Sequence, residues 1–138
     1  MSSVPKRLDC VSTKMTCVPT SSLILDWKGD YRRLSEIREG DFLHNPLDPS
    51  RPSRIVYISD RHTCGIWDLF QYGAFRGVAG QKILLNKQWV QLGTISSPCT
   101  QLCESLTNIV VDNGSPVNID GATVATLDYT FSVVPRIA

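Results

Sequence analysis

The side chains able to do covalent or proton-transfer chemistry are few: Cys10, Cys17, Cys64, Cys99 and Cys103, with His44 and His62 as the two imidazoles in 138 residues. A thiol becomes a good nucleophile when a neighbouring base takes its proton. In His62-Thr63-Cys64 both groups are present, but they form such a pair only if the fold turns both side chains inward, and Asp60 to Cys64 reads as a hairpin tip. His44 likewise reads as a surface or loop residue. Cys99 and Cys103 lack a second Cys or His pair that would complete four ligands, so neither zinc nor another cofactor is expected. An odd number of cysteines without an export signal predicts free thiols rather than a disulfide framework. Judged by type alone, Cys17 is a small apolar residue at a strand start, because free cysteine is among the most buried residue types.

Whatever chemistry exists must be positioned by one domain. A chain of 138 residues can bury a real core but is short for two. Residues 1–14 are polar and basic without periodicity and read as a leader; residues 15–138 read as the domain. The 14 Lys and Arg against 13 Asp and Glu give no broad field, so no nucleic-acid or membrane partner is indicated. No apolar run approaches the roughly 20 residues that cross a bilayer. The chain therefore reads as a soluble, intracellular, cytoplasmic monomer whose partner, if it has one, is a protein.

Short β-rich runs separated by turn residues predict an all-β domain: Ser22–Trp27, Arg54–Ser59, Gly65–Gln71, Lys82–Leu85, Gln88–Leu92, Asn108–Val111 and Thr123–Leu127. Arg32–Arg38 offers a single helical turn, which Glu39-Gly40-Asp41 stops. Asn45–Ser53, with its prolines, predicts a surface loop, and Thr94–Glu104 a second. Asp112-Asn113-Gly114 and Ile119-Asp120-Gly121 are hairpin signals, so the last third reads as a pair of hairpins. Trp27, Trp67 and Trp89 lie in strand-like runs and read as core anchors rather than as a stacking platform for bases.

Three blocks, in order, carry a family resemblance. Cys17-Val18-Pro19, Leu23-Ile24-Leu25, Gly29-Asp30 and Leu34 to Leu43 resemble the opening block of hedgehog-type Hint domains. Val78 to Val90 is similar to the region where that family carries Thr-x-x-His, a turn and Trp-Val. Asn108 to Ser115 with Ile119 to Leu127 is similar to the closing hairpins, especially those of the Vint subgroup. The resemblance implies the Hint fold of hedgehog C-terminal regions and inteins, a compact horseshoe-like β domain with a pseudo-two-fold hairpin arrangement.

In active members of that family the leading cysteine attacks the preceding carbonyl in an N-to-S acyl shift. That step needs a nucleophilic sulfur, donors for the oxyanion and an acid for the leaving amine. The resemblance makes Cys17 the candidate nucleophile and Thr16–Cys17 the scissile bond. It places Val78 and Gln81 where the family has threonine and histidine, and Ser115 and Tyr129 where it has its later histidines. None of these four transfers a proton as an imidazole does near neutral pH. Asp48 stands roughly where hedgehog proteins activate a sterol with an aspartate, and it reads more simply as a turn residue between Pro46 and Pro49. The expectation is a degenerate Hint-like domain without efficient self-cleavage, acting as a binding or structural module. The other reading, a weakly active autoprocessing domain, keeps thioester formation at Cys17. A small β-rich binding domain unrelated to Hint would require the three blocks to be coincidence.

Overall fold

The computed structural model describes residues 18–61, 65–103 and 105–126, with backbone alone for 59–61, 65–68 and 99–103. Cys17, His62, Cys64 and Tyr129 lie outside the described residues. The strands are β1 (Val18–Pro19), β2 (Leu23–Leu25), β3 (Tyr31–Arg33), β4 (Phe42–Leu43), β5 (Ser53–Arg61), β6 (Gly65–Tyr72) and β7 (Phe75–Gly77). They continue as β8 (Lys82–Leu85), β9 (Gln88–Gln91), β10 (Pro98–Cys103), β11 (Leu106–Val111), β12 (Val117–Ile119) and β13 (Ala122–Val124). Helical structure among the described residues is confined to 3-10 turns at Leu34–Glu36 and Leu92–Thr94, so the all-β expectation holds. None of it is long and apolar enough to cross a membrane.

The strands pair antiparallel in three sheets, ordered β1-β11-β5-β4, β10-β6-β7 and β3-β2-β12-β13-β8-β9. Successive side chains of a strand point to opposite faces, so a strand buried on both faces must be nearly all apolar. β11 meets that demand: every residue from Leu106 to Val111 is buried. Its Ile109 and Val111 join the main core with Val18, Ile24, Phe75 and Ile119, whereas Leu106 and Val110 are buried outside that cluster.

Several expectations need correction. Thr94–Glu104 is not simply a loop, because β10 pairs with β6 from Pro98↔Phe70 to Cys103↔Gly65. Proline at the first strand position needs no ladder donor, and pairing with β6 overrides the segment's weak local preference. Asp112-Asn113-Gly114 does turn, with Gly114 at φ 66°. It joins β11 to β12, however, and these lie in different sheets, so Asp120-Gly121 alone closes a hairpin in this region, between β12 and β13. The hairpin-tip reading of Asp60–Cys64 falls on residues 62–64, outside the described residues; the flanking β5 pairs with β11 and β6 with β10. Arg32–Arg38 divides between β3 and a 3-10 turn. Trp27 and Trp89 are each 44% exposed and are not core anchors; Phe75 is the one aromatic among the largest fully buried side chains. Trp89 sits on β9, a sheet edge that covers little of it. The side chain of Trp67 lies outside the described residues.

Two positions make the packing testable. Gly93 donates its N–H to Ala79 O at 2.8 Å. A Cβ there would fall 2.9 Å from Ala79 Cβ and 3.1 Å from its carbonyl oxygen. Gly93→Ala is therefore expected to lower the free energy of unfolding, read by urea titration, by about 1–3 kcal/mol through overpacking. Asp120 adopts φ 51° and accepts a hydrogen bond from Leu23 N at 3.3 Å. Burial pushes its carboxyl above the ordinary value, outweighing the Leu23 N–H and the Arg76 charge, which pull it down. The fold thus favours the protonated acid, and the stability this contributes is present below the unfolded pKa and lost as pH rises through the folded one. Asp120→Asn keeps an acceptor and tolerates positive φ. It should raise the melting temperature at pH 7, with the gain vanishing below the ordinary carboxylate range; an equal gain at pH 3 and 7 would exclude charge as the cause.

Candidate functional site

The start of β1 is where the predicted nucleophile joins the fold. β1 pairs with β11 in the register Val18↔Thr107 and Pro19↔Leu106. A two-residue strand containing proline has few ladder bonds to offer. Local hydroxyls supplement them: Ser105 Oγ donates to Thr20 Oγ1 at 2.5 Å, and Thr20 Oγ1 lies 2.8 Å from Thr107 Oγ1. Thr20 N also donates to Ser105 O at 3.1 Å. β1 packs against β7, which leads directly into Val78. Cys17 precedes Val18 by one peptide bond.

Val78 and Gln81 bracket a tight turn, 4% and 1% exposed respectively. Gln81 N donates to Val78 O at 3.0 Å, and Leu92 N donates to Gln81 O at 2.7 Å. The Gln81 side chain is engaged as well: its Nε2 donates to Lys82 O and to Ala125 O, each at 3.1 Å. Gln81 therefore ties the start of β8 to the chain leaving β13. A carboxamide in this geometry holds carbonyl groups in place and cannot move a proton near neutral pH.

Ser115 and Asp48 line a different place, a polar cavity of about 510 Å³ shared with Asn45, Arg51 and Asp112. Ser115 Oγ accepts from Asn45 Nδ2 at 3.1 Å, and Thr126 Oγ1 donates to Ser115 O at 2.9 Å. Asp48 Oδ1 accepts from Ser50 Oγ at 2.7 Å and Ser50 N at 3.3 Å, the hydrogen bonding of a turn residue. The site residues thus fall into two groups, Val78 with Gln81 and Asp48 with Ser115, bridged by Ala125 on Gln81 and Thr126 on Ser115. His44 is half-buried just after β4, its N–H given to Leu25 O at 3.2 Å. Among the described residues, no three His, Cys, Asp or Glu side chains are grouped to hold a metal ion.

Sequence reasoning passed over Asn108. It is 2% exposed, and neither its Nδ2 nor its Oδ1 has a hydrogen-bond partner among the described residues. The Ser22 and Ser53 hydroxyls are also unpartnered, but each is one rotatable group, whereas Asn108 leaves an entire carboxamide unsatisfied. Each unmade bond of this kind costs about 1–3 kcal/mol, so such a group calls for an explanation. The available signal was a lone carboxamide inside the otherwise compact run Leu106-Thr107-Asn108-Ile109-Val110-Val111.

No family model and no curated protein sequence matches this chain. Among solved structures it is similar to the solution structure of a bacterial intein-like domain from Clostridium thermocellum, with a TM-score of 0.61 and 13% sequence identity. The similarity covers 81% of this chain and 99% of that one. At that identity the likeness is one of fold: these antiparallel sheets form an intein-like (Hint) fold.

Proposed function

We propose that this is an intein-like domain that has lost efficient self-cleavage and acts as a binding or structural module, its partner, if it has one, being a protein. The observation that carries this reading is Gln81. Where the resemblance calls for an imidazole, a fully buried carboxamide braces Lys82 O and Ala125 O instead. Expelling an unprotonated amine is very costly, and losing the general acid or base slows such a step by about 10² to 10⁴. Val78 offers no hydroxyl, and the Ser115 hydroxyl is held by Asn45. A second reading is slow thioester formation at Cys17 with cleavage of the Thr16–Cys17 bond.

The two readings separate in a fusion carrying a reporter upstream of Cys17, incubated with and without dithiothreitol or hydroxylamine and weighed by mass spectrometry. The fusion is expected to stay intact; cleavage that disappears in Cys17→Ala would overturn the lead reading. Val78→Thr with Gln81→His is expected to raise cleavage above that of the parent chain. Gln81→Leu removes two hydrogen bonds and should cost about 1–3 kcal/mol of stability by urea titration, the signature of a brace.

A further inference from the structure

The six-stranded sheet ends in two edges, β3 and β9, and they are built differently. An edge strand presents unpaired backbone N–H and C=O groups, and folds blunt it with charged side chains, proline or a bulge. β3 carries Arg32 and Arg33. β9 has no such guard: Gln88-Trp89-Val90-Gln91 contains neither charge nor proline, and its register with β8 runs unbroken from Leu85↔Gln88 to Lys82↔Gln91. Hydrogen-bonded and non-hydrogen-bonded pairs alternate along an antiparallel ladder. Leu85↔Gln88 closes the two-residue turn and Leu92 N donates to Gln81 O, so the amides of Gln88 and Val90 face β8. The N–H and C=O of Trp89 and the N–H of Gln91 therefore point away from the sheet, without a partner among the described residues. The Gln91 carbonyl is already taken by Thr94 Oγ1 at 2.7 Å.

Ile83 and Val90 turn toward the core, which puts Lys82, Leu84, Trp89 and Gln91 on the outer face. The same alternation carries across the sheet through Ile83↔Val124 and Ile119↔Ile24. The charged side chains at strand positions of that outer face are Lys82 and Arg33, both basic. Lys87, in the turn two residues before Trp89, adds a third cation. Neither lysine has an ion-pair partner among the described residues. We propose that the β9 edge is a docking site for an extended acidic segment of a protein partner, which adds to the sheet as a further strand beside Trp89. Backbone bonds to Trp89 and Gln91 hold the segment, its apolar side chains lie beside Val90, and its alternating acidic ones meet Lys82 and Lys87 next to the indole. A second copy of the chain would set two basic faces side by side, which like-charge repulsion opposes. The inference rests on the reading of the domain as a binding module but uses no residue of the Val78–Gln81 turn. Cleavage at Cys17 would sink that reading and leave the edge as it is, whereas an edge that takes no strand would leave the intact fusion standing.

The probe is a short synthetic peptide alternating glutamate and valine, added to the full chain and followed by amide hydrogen exchange; a lysine and valine peptide is the control. The acidic peptide should slow exchange at Trp89 and Gln91 by about tenfold or more and leave Gln88 and Val90, already bonded to β8, unchanged. The basic peptide should protect none of them. Lys82→Gln should weaken the acidic peptide about 2- to 5-fold, the size of an exposed charge pair. Trp89→Pro removes the outward N–H without touching the ladder to β8 and should abolish binding, whereas Trp89→Thr, which keeps that N–H, should retain weaker binding. If Trp89→Pro does not fold, the exchange pattern of the native chain decides. Absence of protection, or protection that does not alternate along β9, overturns the proposal. So do Trp89 and Gln91 amides already protected in the free chain, whether by another of its segments or, in a concentration-dependent way, by a second copy.

Discussion

The burial of β11 on both faces is the constraint on which the rest of the structure depends. Six consecutive residues, Leu106 to Val111, are removed from water, including the polar Thr107 and Asn108. A strand in that position cannot end at a sheet edge, and β1 and β5 flank it. β1 consequently inherits its position from β11: two residues with one proline could not hold a place in a sheet without the Val18↔Thr107 pairing and the hydroxyl contacts of Ser105, Thr20 and Thr107. The direction of the chain at Val18, the first described residue, is thereby fixed. Burial, register and the location of the candidate chemistry are one linked set of facts.

The same logic explains what the sequence disclosed. Elements whose own residues state their period were legible: Lys82–Leu85 and Gln88–Leu92 were placed nearly to the residue, since alternation and the intervening Asn86-Lys87 turn are local properties. Asn86 and Lys87 both take positive φ, as a tight two-residue connection requires. β10 was not legible, because its existence depends on β6, a partner roughly thirty residues away in a chain whose strands mostly pair non-locally. The turn at Asp112-Asn113-Gly114 was legible as a turn but not as a passage between sheets, since the same residues serve either use. Trp27 and Trp89 misled because size and hydrophobicity predict burial on average, whereas their positions are set by a turn and an edge strand.

The candidate site was partly legible for the same reason. Residue types at Val78, Gln81 and Ser115 stated which chemistry those positions lack, but not what they do instead. That requires three-dimensional partners: Ala125 O for Gln81 and Asn45 Nδ2 for Ser115, groups 44 and 70 residues distant in sequence. Asn108 escaped notice because an asparagine in a strand is ordinary until its burial and lack of partners are known.

A site built from carboxamides and hydroxyls differs physically from one built around an imidazole. At 1% exposure, an imidazole at position 81 would have to stay neutral or be paired, because desolvation disfavours its charged form. A glutamine there carries no such demand, and its two donated hydrogen bonds join β8 to the end of β13 at any pH. The same two bonds fasten the last described segment to the body of the fold. Asn108 runs the other way: an unsatisfied buried carboxamide weakens β11 unless something outside the described residues meets it. Gln81 is explained by stability alone, whereas Asn108, opposite Ser59 of β5, is a cost to stability among the described residues.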